Sequence, residues 1–277
     1  MAEIALTPPE PEVIDELQRR NRFWPALVMA VRVVNAMVLR EAITRFGTMR
    51  IGYLMAFIEP SLYFIGFIIL RSFILDRVPF GESALLFLIS GFITVRAFIA
   101  ISRKMMYAIA ANQALMTFPS VTPLAAVFAR GAVETFTMCT IIFLFYAFIV
   151  WGADTARIED PVEMTWAAMA LFGLAFGIGC FNAVIGMLVQ TYRIVYAMIT
   201  LPLLITSGVF FVPTQLPPEY QEIIAWNPVL HCVEWFRVAI YMDYEPLLSK
   251  SYVVGFAVVS LGLGVIACQV FRVRLLD

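Results

Sequence analysis

The sequence predicts an all-α membrane protein with six transmembrane helices, an N-terminal amphipathic interface helix, and re-entrant outer helices between spans five and six. Three observations carry this reading. Of the 277 residues, 62% are hydrophobic and 14% charged, where a soluble domain has about 45–50% and about 25%; an excess this large has to face lipid. The apolar residues gather into long runs, each near the roughly 20 residues a helix needs to cross the hydrocarbon core. Between the runs lie two segments of different character, a basic stretch at 102–130 and a Pro- and Trp-rich stretch at 212–250. Six spans use about 120 residues, which leaves loops and a tail but no second catalytic domain.

Residues 1–22 read as a polar, Pro-rich cytoplasmic tail. They are acidic and then basic, without an apolar centre, and so are not a secretory signal peptide. Segment 23–50 mixes apolar residues with Arg32, Arg40, Arg45 and Arg50. Leu27, Val31, Val34 and Val38 recur at helical spacing and draw one stripe, with Arg32 and Asn35 off it. With Phe23 and Trp24 at its start, this basic amphipathic helix suits the interface plane; a plain cytosolic helix is the alternative.

The transmembrane domain fills 51–277, with spans near 54–75, 84–101, 131–151, 165–189, 194–212 and 252–271. Lys and Arg set the orientation. With the N-terminus inside, the inner segments hold thirteen of the 19 basic residues and the outer loops five. Both termini are therefore expected in the cytoplasm. The outer loop 152–163 agrees, carrying Asp154, Glu159, Asp160 and Glu163 against Arg157 alone.

The inner segment between spans two and three is too long for a simple turn. Met105, Met106, Ile109, Leu115 and Met116 give it an apolar face, and Pro119 and Pro123 break it twice. A short helix there presents a knob to a cytosolic partner or lies against lipid headgroups; spacing alone does not choose.

On the outer side, Asn227–Pro228 is a helix start, since Asn caps free N–H groups and Pro fits the first helical position. Pro217 and Pro218 precede another short helix, ending near Trp226. Flanked by Trp226, Trp235, Tyr241 and Tyr244, the two helices are expected to dip into the membrane face. Such a pair is tolerated only where protein buries it or it lines an aqueous cavity, which favours an outer gate over an interfacial aromatic belt. His231, Glu234 and Arg237 follow at three-residue spacing. Without a Ser or Cys nucleophile in register, they read as a hydrogen-bonded structural network.

Arg96 in span two costs roughly 2.5–3.5 kcal/mol at a span's centre. It lies about 9 Å along the helix from Ser102, so it either snorkels to the inner interface or faces an anionic substrate in the pore. Glu59, before Pro60, sits at the positive end of a helix dipole. Arg130 and Glu134 read as an ion pair along one helix. Tyr53, Tyr63, Trp151, Phe210 and Phe211 are candidates to line a path, because sugar rings pack their C–H faces on aromatic planes. Gly173 and Gly177 form a G-x-x-x-G packing signal.

Several classes are excluded. No P-loop sequence occurs. A net charge of −1 makes no case for nucleic acid. Cys139, Cys180, Cys232 and Cys268 form no CxxC, so neither a disulfide framework nor a metal site is read. No series of intramembrane carboxylates suggests a proton pump, and no inverted repeat suggests a secondary transporter. What remains is a transport channel that depends on a separate motor.

Three stretches in order carry a resemblance: TRFGTMRIGYLMAFIEPSLYF (44–64), ANQALMTFPSVTPLAAVFAR (111–130) and SGVFFVPTQLPPEYQEIIAWNPVLHCVEWFR (207–237). Together they resemble the capsular-polysaccharide exporter permeases, of the ABC-2 type of ATP-binding-cassette transporter. The resemblance implies a homodimer working with two cytosolic ATPase subunits. Those subunits would bind ATP and Mg, leaving no cofactor and no covalent chemistry to this chain. It also implies a coupling segment at 103–121, with Arg103, Lys104, Asn112, Phe118 and Pro119 as docking candidates. Periplasmic gate helices are implied at 214–240, with Trp226, Asn227, Pro228, His231, Glu234, Trp235 and Arg237. It implies an inner-membrane location, a periplasmic adaptor, an outer-membrane channel, and an acidic lipid-linked polysaccharide for which Arg96 is a pore contact. An ABC-2 permease for O-antigen, teichoic acid or a small drug is the alternative. A membrane glycolipid enzyme is disfavoured, since the chain has a single His.

Overall fold

The computed structural model describes residues 11–46, 84–118, 120–152 and 158–272, with positions 58, 62, 65, 66, 69, 80, 81, 274 and 275. Tyr53, Glu59, Tyr63, Pro119 and most of the first expected span lie outside the described residues. Among the described residues every regular element is a helix.

Helix α1 (Pro11–Phe46) begins inside the expected tail. Its seat is Met37, buried against Ala125, Ala126 and Ala129, with Val33, Val34 and Val38 around it. The expected stripe is therefore displaced, and Leu27 and Val31 stay exposed. Helix α2 (Ala84–Met106) starts where expected but continues past 101, so that Arg103 and Lys104 occupy its last turn. One helical turn, α3 (Ala108–Ala111), and a 3-10 turn at Gln113–Leu115 follow. The separate helix expected across the membrane face is reduced to these two turns.

Local caps decide the next starts. Helix α4 (Pro123–Gly152) begins earlier than 131, because Thr122 Oγ1 accepts from the Ala125 N–H at 3.2 Å and Pro123 takes the first position. Helix α5 (Pro161–Leu188) opens under the Asp160 carboxylate, which accepts from the N–H groups of Val162 and Glu163 at 2.9 and 3.0 Å. Helix α6 (Tyr192–Thr206) has 15 residues, or about 22 Å, against a core about 30 Å thick. It ends short of the expected 212 at a turn through Gly208, whose φ of 69° favours glycine. Two short helices, α7 (Pro218–Ile224) and α8 (Pro228–Ile240), precede α9 (Lys250–Val270). Four of the described helices, α2, α4, α5 and α9, are long and apolar enough to cross a membrane.

Helix α5 is the hub, packing on α2, α8 and α9. Against α9 the backbones nearly touch. A Cβ on Gly177 would lie 2.1 Å from Ser260 Oγ and 2.7 Å from the Leu261 nitrogen, and Gly264 meets Cys180 in the same way. The G-x-x-x-G signal is thus spent within one chain. Toward α2, Met105 fills the notches at Gly131 and Gly179, and Met106 the notch at Gly186. Both methionines are buried, so this part of the apolar face, read as meeting either a partner or lipid headgroups, turns inward instead.

Candidate functional site: a clamped outer bracket and a basic inner end

The candidate residues gather at two ends of the bundle. Turns 107–118 and 188–192 and helix α1 meet at the end that the charge count assigns to the cytoplasm. Asn112 is buried there. Its Nδ2 donates to the Ala108 carbonyl at 2.7 Å, and its Oδ1 accepts from Arg40 Nη2 at 2.6 Å. Asn112 therefore braces the turn from inside, while Arg103, Lys104 and Phe118 remain at the surface, Phe118 59% exposed. Arg130 pairs across to α1 rather than along α4 to Glu134, its Nε lying 2.9 Å from Glu41 Oε1. Arg193 donates to the Gly186 carbonyl at 2.8 Å and stacks 5.1 Å over Tyr107.

At the opposite end, α8 is buried along nearly its whole length. Asn227 accepts from the Val229 N–H at 3.0 Å, the expected cap, and its Nδ2 donates to Thr206 and Ser207 at the end of α6. His231 accepts at Nδ1 from the Ser249 N–H at 3.2 Å and donates from Nε2 to the Ala225 carbonyl at 2.8 Å. Both ring nitrogens are thus engaged in holding backbone.

Glu234 Oε1 accepts from Tyr244 at 2.8 Å and from Arg237 Nη1 at 3.1 Å, while Oε2 accepts from the Leu247 N–H. Burial pushes the Glu234 carboxyl above its usual range, and Arg237 beside it pulls the other way. The Arg237 guanidinium lies 3.8 Å over Phe87 and reaches the carbonyls of Val209 and Phe211.

Trp235 Nε1 donates to Glu163, which also pairs with Lys250 at 2.7 Å. These contacts pin α8 to α2, α5, α9 and the loop after α6. Of the expected gate residues, Trp226 alone points out, 79% exposed. Phe210 packs on the core, and Trp151 lies in the last turn of α4.

Arg96 is half-buried between α2 and α4. It lines a small cavity of about 20 Å³ with Phe92, Met138 and Phe145. Sequence reasoning placed Tyr244 only as a flanking aromatic and missed Glu163 and Lys250 as bracket members. The acid-rich 152–163 loop was the signal for Glu163, and Lys250 had none. Among the described residues, no group of three or more His, Cys, Asp or Glu is placed to hold a metal.

Residues 32–241 match the ABC-2 type transporter family. The chain belongs to that family. The polysialic acid transport protein KpsM of Escherichia coli is 32% identical to this ABC-2 chain over 235 residues, covering 83% of this chain and 90% of KpsM. The capsule polysaccharide export inner-membrane protein BexB of Haemophilus influenzae is 28% identical over 243 residues, covering 87% and 90%. CtrC of Neisseria meningitidis, of the same description, is 25% identical over 253 residues, covering 90% and 95%. The region shared with the ABC-2 family runs from within α1 to the end of α8 and so contains the inner end and the outer bracket except Tyr244, Leu247, Ser249 and Lys250.

Proposed function

We propose that this chain is the transmembrane permease subunit of an ABC exporter that carries lipid-linked capsular polysaccharide across the inner membrane. ATP hydrolysed in a partner subunit, which binds the nucleotide and Mg, drives the export. The observation that carries the reading is the run of relatives named for polysialic acid transport or capsule polysaccharide export, matched over 90–95% of their own lengths.

The permease is a homodimer of six-span chains with both termini in the cytoplasm. Two ATPase subunits dock at the surface formed by Arg103, Lys104 and Phe118. Movement there reaches α5 through the Met105 and Met106 knobs, because close-packed interiors transmit displacement. Helix α5 passes it on to α9 and to the α7–α8 gate, and the polymer follows a path between the two chains. A periplasmic adaptor and an outer-membrane channel receive it. A basic inner end and the half-buried Arg96 suit an acidic glycan.

Deletion of the gene, with polymer assayed inside and outside the cell, tests the reading. Polymer lost from the surface and accumulated in the cytoplasm is the expected result. Normal surface polymer overturns it.

A further inference from the structure

A cavity of about 380 Å³ at the junction of α1, α2 and α4 shares Lys104 with the docking surface proposed above and is otherwise unused by that reading. Its walls are Arg40, Glu41 and Thr44 of α1, Lys104 of α2, Ala111 of α3, and Arg130, Val133 and Glu134 of α4. At this level α2 ends, and α4, which starts at Pro123, carries its first charges two to three turns in, at Arg130 and Glu134; the charged walls place the cavity where these membrane-crossing helices leave the hydrocarbon, at headgroup depth.

Charge on the walls is unbalanced. Three cations face two carboxylates, and one of the two, Glu41, is held by Arg130 at 2.9 Å. Arg40 donates instead to a neutral acceptor, Asn112 Oδ1, at 2.6 Å. That bond does not cancel the Arg40 charge, and it fixes the guanidinium, because buried Asn112 is itself locked to the Ala108 carbonyl at 2.7 Å. Lys104 is exposed, and its ammonium makes no hydrogen bond or ion pair among the described residues. A preoriented guanidinium beside a mobile ammonium suits phosphate oxygens.

The surroundings favour a lipid over a free anion. Leu39 and Ile43, each next in sequence to a cavity residue, stand 65% and 67% exposed on α1, where acyl chains leaving the headgroup would lie. We infer that this cavity binds the phosphate of an anionic membrane lipid, with Arg40 and Lys104 as the phosphate contacts and Asn112 as the positioning residue. Binding there ties α1 to the junction of α2 and α4.

The test is thermal unfolding of the full-length protein in neutral detergent, titrated with short-chain phosphatidylglycerol, short-chain phosphatidylcholine, or inorganic phosphate. Phosphatidylglycerol is expected to raise the unfolding temperature in proportion to the logarithm of its concentration once in excess, while the other two leave it unchanged. The double variant Arg40→Gln, Lys104→Gln is expected to need at least about tenfold more lipid for the same response. The variant Arg272→Gln, Arg274→Gln, with equal charge loss away from the cavity, keeps the wild-type response. Should the first variant fail to fold, Lys104→Gln alone, at an exposed side chain, carries the measurement.

An equal response to phosphatidylcholine overturns anion selectivity. An equal response to inorganic phosphate identifies a free-anion site and overturns the lipid. A wild-type response in the cavity variant overturns the site.

Discussion

Arg237 and Glu234 form a fully buried ion pair one turn apart on α8, with Nη1 3.1 Å from Oε1. Neither charge stands alone. Tyr244 and the Leu247 N–H complete the carboxylate, and the Phe87 ring and two carbonyls engage the guanidinium, whose Nε has no hydrogen-bond partner among the described residues. Through this one pair, α8 holds α2, the loop leaving α6 and the loop entering α9.

Removing one partner leaves an uncompensated buried charge. Arg237→Ala is expected to cost about 3–5 kcal/mol, read as a lowered unfolding temperature in detergent. The double variant Arg237→Met, Glu234→Leu should cost less than the single variant, because no charge is stranded. Equal losses in the two would show that the pair itself is not what holds the bracket.

The α5–α9 contact predicts a sharp contrast between two glycines of one motif. Gly177→Ala drives a Cβ into Ser260 and the Leu261 backbone, whereas at Gly173 the nearest atom, Ala257 Cβ, is 3.7 Å away. Gly177→Ala should destabilise by about 1–3 kcal/mol and Gly173→Ala should be nearly neutral. Matching effects at both positions would contradict the geometry.

Asn227 both caps α8 and ties it to α6. Asn227→Ala is expected to cost about 1–2 kcal/mol. Asn227→Asp should recover the part that belongs to the cap and not the part from the two Nδ2 bonds, giving an unfolding temperature between those of wild type and Ala.

At the inner end the expected effect is on assembly. Phe118→Asp, at a side chain 59% exposed, combined with Arg103→Glu, should lower the amount of ATPase that co-purifies and leave the unfolding temperature unchanged. Undiminished co-purification would move the docking surface elsewhere.

Arg96→Ala should reduce surface polymer while the purified protein unfolds at the wild-type temperature. Normal surface polymer in that variant confines Arg96 to a structural part beside Phe92 and Phe145.

What could be read from the sequence was decided locally. Apolar runs long enough to span a membrane announce themselves, and α2, α4, α5 and α9 lie on four of them. Helix starts at Asn227–Pro228 were legible because a cap and a first-turn proline act on neighbours in the chain. The alternation of His231, Glu234 and Arg237 on a short helix, with no nucleophile near, already pointed to a structural network.

What the tertiary structure decided was partnership. Spacing offered Glu134 to Arg130, but Glu41 from α1 stands closer. An apolar Met105–Met106 pair looks alike whether it faces a partner or the core; only the notches at Gly131, Gly179 and Gly186 on other helices turn it inward. Gly173 and Gly177 signal close packing without naming the helix, which proves to be α9. Composition and caps depend on residues a few positions apart, whereas each of these pairings depends on helices far apart in the chain being brought to the same place.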